Sequence, residues 1–127
     1  MQNKDELDEN QEPDKTLIRD FLKGRLTISK NGRVGFEENY FKQKETIKII
    51  QFLLAKKVIA IKKLGGITKE HTLPKEISEV TYINNNTVRR SLARDLKGFV
   101  KKEREGYIIP NHSLFKIKEK WFRGVTK

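Results

Sequence analysis

At 127 residues the chain can close one hydrophobic core but not two of comparable size. It contains no cysteine, which removes disulfides, thiolate metal sites and thiol nucleophiles together and leaves a cytoplasmic, nucleoid-associated setting as the expectation. The formal net charge of +11 favours a polyanionic partner through counterion release.

Residues 1–15 read as an acidic, disordered tail. The first fourteen hold six carboxylates (Asp5, Glu6, Asp8, Glu9, Glu12, Asp14) against Lys4, with almost no apolar residue besides Leu7, so the charge over residues 15–127 rises to +16. Two roles fit this tail: a solubility segment, or one that folds back on the basic face and competes with nucleic acid. Acidic first residues also speak against a secretory signal. No membrane partner is expected, because Lys48, Gln51, Lys56 and Lys57 interrupt the longest apolar stretch, Ile47 to Ile61.

Residues 16–37 predict a short helix plus a β-hairpin extension. Leu17, Ile18, Phe21 and Leu22 share one side of a helix that ends near Gly24. Leu26 to Phe36 reads as a hairpin around Asn31-Gly32. A two-residue turn would pair Ile28 with Gly35 and split the apolar set between faces. A three-residue loop with Gly32 left-handed pairs Ile28 with Val34 and Leu26 with Phe36, which keeps all four on one face, and this register is preferred.

A long helix is predicted from about Glu38 or Lys44 to Leu64, stopped by Gly65-Gly66. Ile47, Ile50, Leu54 and Ile61 lie near one line, and Ile49, Phe52, Leu53, Val58 and Ile59 widen the apolar surface well beyond a stripe. The surplus face fits either a homodimer or cover by the preceding helix and hairpin. Pro74 then opens a short helix with Thr72 or Leu73 at its cap and Ile77 and Val80 buried, and Tyr82 to Asn86 form a turn. A second helix runs from about Asn85 to Lys97, closed by a left-handed Gly98. At about 100° per residue, its Val88, Leu92 and Leu96 fall in one buried stripe with Asp95 beside it. Asn86, Thr87, Arg90, Arg94 and Lys97 face the opposite way, with Arg89 on a flank and Asn85 opening the helix. Arg matches guanine O6 and N7 or a phosphate in bidentate fashion, and Asn does the same for adenine, so this face suits a major groove.

Phe99 to Pro110 predicts a hairpin whose tip mixes Lys101, Lys102 and Arg104 with Glu103 and Glu105, while Tyr107 and Ile109 point inward. Lys102 and Arg104 are placed for a phosphate or minor groove, whereas the two glutamates would resist close approach to DNA. Leu114, Ile117 and Trp121, with Phe115 and Phe122 beside them, mark a last helix. It fits either dimerisation or packing onto the long helix.

The order helix, turn, Arg-rich helix and hairpin makes residues 38–127 a winged helix-turn-helix domain with a C-terminal helix, within a mainly α fold with small β content (α+β). Asn-Asn-Thr-Val-Arg-Arg-Ser-Leu at Asn85 to Leu92, then Leu96, Gly98, Phe99, Val100 and Gly106-Tyr107, resembles the winged-helix transcription regulators common in archaea and bacteria. The resemblance covers roughly residues 45–110. It implies a DNA-binding regulator, usually dimeric, whose second helix enters the major groove and whose wing touches the flanking backbone. One departure is the turn Tyr82-Ile83-Asn84-Asn85, where such sequences often carry Gly just before the hydrophobic turn residue.

No enzyme, metal or cofactor is expected. His71 and His112 belong to no ligand spacing and read as loop or cap residues, and Gly65-Gly66 lacks the Lys-Ser or Lys-Thr of a phosphate loop. The expected contacts to double-stranded DNA are therefore Asn85, Asn86, Thr87, Arg89, Arg90, Arg94 and Lys97 on the helix and Lys101, Lys102 and Arg104 on the wing. The competing reading is an accessory subunit that binds protein or structured RNA within a larger replication, transcription or ribosomal assembly.

Overall fold

The apolar run at the centre of the chain folds as α2 (Glu45–Lys62), and every residue from Ile49 to Ala55 is buried. A stretch buried on all sides is the axis around which the other elements pack. The computed structural model describes residues 15–122; the acidic tail predicted for residues 1–15 lies, but for Lys15, outside them. Among the described residues the fold is mainly helical with two small antiparallel hairpins, and no helix is long and apolar enough to cross a membrane.

The long helix does not begin at Glu38. Glu38–Lys42 is a separate 3-10 turn, and Gln43 and Lys44 are extended between it and α2. The cause is Tyr40, which is fully buried and donates its hydroxyl to the Lys48 carbonyl at 2.6 Å, so the turn folds over the first turn of α2. Burial pushes the Tyr40 hydroxyl well above the ordinary tyrosine range. Buried Gln51 exchanges amide hydrogen bonds with Gln43 and donates to the Phe21 carbonyl at 2.9 Å, which satisfies a polar side chain inside the core. At its other end α2 stops before Leu64, because Lys63 itself turns left-handed, at φ 55.

α1 (Lys15–Leu22) lays Ile18, Phe21 and Leu22 on α2, and β1 (Leu26–Ile28) pairs with β2 (Val34–Phe36) in the three-residue-loop register: Leu26 opposite Phe36 and Ile28 opposite Val34. Gly32 is left-handed at φ 84, and Ser29 donates its amide to the Arg33 carbonyl to close the loop. The loop then docks on Gly65, where a Cβ would stand 2.2 Å from the Asn31 carbonyl oxygen. Val58 and Ile61 stay half-buried, while the part of the surplus apolar face that carries Ile49, Phe52, Leu53 and Ile59 is thus covered within one chain. That removes the argument for a homodimer drawn from it.

α3 (Pro74–Thr81) and α4 (Asn85–Arg90) follow, and then β3 (Lys101–Glu103) and β4 (Gly106–Ile108) with a two-residue connection. α5 (Leu114–Trp121) buries Leu114 and Ile117, while Phe115 is 65% exposed. Its end returns to the start of the chain, since Phe122 stacks on Phe21 with ring centroids 4.5 Å apart. Trp121 meets Phe99 edge-on at 4.7 Å, which anchors the segment leaving α4.

Candidate nucleic-acid interface

The turn between α3 and α4 is short and braced. Tyr82 takes a left-handed conformation (φ 63, ψ 22) and supplies the chain reversal. Ile83 is buried behind it. The Ser78 hydroxyl donates to the Ile83 carbonyl at 2.6 Å, and the Thr81 hydroxyl donates to the Ile77 carbonyl while accepting from the Ile83 amide. Asn84 caps α4 by accepting from the Asn86 amide at 2.8 Å, so the turn ends two residues earlier than expected.

α4 is not one regular helix to Lys97. From Ser91 to Asp95 it widens to π geometry, with the Leu96 amide donating to the Ser91 carbonyl at 2.9 Å, and Leu96 leaves the helix (φ −103, ψ 10). Val88, Leu92 and Leu96 remain buried, and Ser91 joins them. Beyond Ser91 each residue turns through less than the α-helical angle, and Asp95, expected beside the buried stripe, is exposed. Gly98 then takes φ 88 as predicted.

Most of the expected contact residues reach solvent. Asn86, Arg89, Arg90, Arg94 and Lys97 are exposed and Thr87 is half-buried. Asn85 is turned inward, its side-chain oxygen enclosed without a hydrogen-bond partner among the described residues. On the hairpin Lys101, Lys102 and Arg104 are exposed, and Lys101 is held by Glu103 at 3.3 Å. Among the described residues, Arg89, Arg90, Arg94, Lys97, Lys102 and Arg104 make no ion pair. Their positive charge is uncompensated by any carboxylate of the described residues.

The hairpin glutamates have a different fate. Glu103 Oε1 lies 2.7 Å from His71 Nε2, and Glu105 pairs with Lys69 at 3.1 Å. His71 is therefore a clasp between the segment before α3 and the hairpin, a role its sequence position did not disclose. The hydrogen bond from His71, then that from Lys101, holds the Glu103 carboxyl below its ordinary range, and Lys69 does the same for Glu105. The ligand atoms of His71, Glu103 and Glu105 fall within 4.8 Å of one another. Each carboxylate also carries a lysine, Lys101 on Glu103 and Lys69 on Glu105. Beneath it, Thr72 and Tyr107 exchange backbone hydrogen bonds of 3.1 and 2.8 Å, which adds a third strand position to the hairpin. Gly106 (φ 139) lies flat on Thr72, where a Cβ would come within 2.8 Å of three backbone atoms.

Residue spacing did not disclose three further features. Lys116 on α5 donates to the Gly98 carbonyl at 2.7 Å and lies over the Phe99 ring, joined there by Lys120, so α5 adds cations where α4 passes into the hairpin. Only the tertiary path of α5 brings them there. Tyr82 stands in solvent beside the start of α4. A cavity of about 630 Å³ between α1, β1 and the end of α2 is lined by none of the expected contact residues. No family model, curated protein or solved structure matches the chain.

Proposed function

We propose that the chain is a winged helix-turn-helix protein that binds double-stranded DNA in a sequence-specific way and acts as a nucleoid-associated transcription regulator. The observation that carries this reading is the row of unpaired cations on α4 and the hairpin, set on the helix that follows a braced turn. In this reading Arg90, Arg94, Asn86 and Thr87 read or position on the major groove, Arg89 takes a neighbouring phosphate, and Lys102 and Arg104 hold the backbone beside it. Lys97, Lys101 and Lys116 extend the positive surface between helix and wing. The wing glutamates are held by hydrogen bonds and ion pairs to His71, Lys69 and Lys101, which turns them away from a phosphate backbone.

Homodimerisation stays in the proposal for a reason on the DNA side, since a two-fold protein reads paired half-sites. The test is selection of bound duplexes from a random pool by the purified chain at about 0.15 M salt, where non-specific phosphate binding is already weakened. The expected result is an enriched motif in two half-sites, lost when Arg90→Ala and Arg94→Ala are combined. Absence of any motif, together with copurification of a protein or RNA, would transfer the site to an accessory subunit of a larger assembly.

A further inference from the structure

Tyr82 is the most exposed large apolar side chain among the described residues, with 83% of its surface in water. It also occupies the left-handed region, where a bulky L-residue is strained and Gly is not. Its backbone cannot relax, because both neighbours are pinned: Thr81 and Ile83 are buried and bonded to each other and to Ile77 and Ser78. The ring rests on Phe41 at 5.7 Å, and Phe41 rests on Tyr40 and Phe36. An aromatic column rooted in the core thus ends on a ring held in solvent. What the ring adds to the fold is its contact with Phe41, against which Gly would set relief of the backbone strain.

The position is informative. Two residues after Tyr82, Asn84 caps the helix that carries the exposed Asn and Arg side chains. Those side chains address the polar edges of bases. The one apolar group that bases present in the major groove is the C5-methyl of thymine, and a fixed apolar ring is its natural complement.

On the DNA-binding reading above, we propose that Tyr82, seated on Phe41, contacts the methyl group of a thymine at the edge of the groove entered by α4. Selected duplexes are resynthesised with deoxyuridine in place of each thymine in turn and bound to the wild-type chain and to Tyr82→Gly. At one position the lost methyl weakens the wild type by about fourfold, the worth of one buried methyl, and leaves Tyr82→Gly unaffected. The melting temperature of Tyr82→Gly is not lowered, since Gly adopts the conformation freely. Tyr82→Asn, which also tolerates that conformation, repeats the comparison with a side chain present.

Wild-type affinity in Tyr82→Gly, equal sensitivity of both chains to every deoxyuridine, or a lowered melting temperature in both variants overturns the proposal. Any of these leaves the DNA-binding reading standing if the combined Arg90→Ala and Arg94→Ala chain still loses the selected site. A pool without an enriched motif overturns the parent reading and this proposal together.

Discussion

Gly106→Ala is the sharpest perturbation of the β3–β4 hairpin. An Ala at φ 139 is forced into a region that is essentially Gly-only, at a cost of about 1–3 kcal/mol. Its Cβ would also meet the Thr72 oxygen at 2.7 Å and the Thr72 carbon and nitrogen at 2.8 Å. Thr72 is fully buried and cannot move aside, so the two Thr72–Tyr107 hydrogen bonds are lost, at about 1 kcal/mol each. The expected total is about 3–5 kcal/mol, read as a fall of about 2 M in the urea midpoint. Gly98→Ala is the matched control. Gly98 has a left-handed φ of 88 but nothing within 4 Å of its Cβ position, so only the conformational cost of about 1–2 kcal/mol remains. Hydrogen exchange at the Thr72 and Tyr107 amides supplies the local readout and should accelerate in Gly106→Ala alone. Equal urea midpoints for the two variants, or unchanged exchange at both amides, would refute the close-approach argument.

Three further outcomes follow from the same geometry. On the proposed DNA-binding reading, Arg90→Ala should cost about 1–3 kcal/mol on the selected duplex and relax preference at one position, whereas Lys102→Ala should weaken all duplexes alike and lower the salt slope by about one; interchangeable behaviour would cancel the division between reading and anchoring. Glu103 and Glu105 have folded-state pKa values below the ordinary carboxylate value, so their clasp is complete above that range and is lost as pH falls through the lower folded-state values. Carboxyl carbon titrations by NMR should place both midpoints below 4.5, with exchange at the Thr72 amide rising over the same acid window; midpoints at or above 4.5 would remove the clasp. Gln51→Ala should destabilise by about 2–5 kcal/mol, since it opens a core cavity and leaves the Phe21 carbonyl without its donor, while the Gln43 amide keeps Tyr40 and Arg25; urea unfolding within about 0.5 kcal/mol of wild type would show that water replaces it.

Elements with a strong local signal were legible in the sequence. The hairpin register followed from keeping Leu26, Ile28, Val34 and Phe36 on one face, and the structure adopts it because that face packs on α2. Gly98 and Gly32 announced their left-handed turns by the lack of a Cβ. Other features depend on contacts that spacing cannot contain. The break at Gln43 and Lys44 exists because Tyr40 reaches the Lys48 carbonyl, and the early end of α2 because the Asn31 loop seats on Gly65. At the candidate site, outward charges on α4 were readable from periodicity even across the widened turn, where Arg94 and Lys97 are exposed as expected. The inward turn of Asn85 was not readable, because it depends on Asn84 taking the cap. The pairing of His71 with Glu103 joins positions 32 residues apart and has no local signature.

The widened turn at Ser91–Asp95 also bears on how this chain can diverge. A π turn is an α-helix that has absorbed one extra residue, and such bulges are frequent at functional sites. Loss of the exposed Ala93 would restore regular pitch: Leu96 would then follow Val88 at the seven-residue spacing that a regular helix also buries, so the core would survive the deletion. Arg94, inside the bulge, and Lys97 after it would be re-aimed against Arg89 and Arg90. Shedding one residue would therefore redirect part of the exposed charge without unseating the core, a route closed to a helix whose pitch is regular throughout.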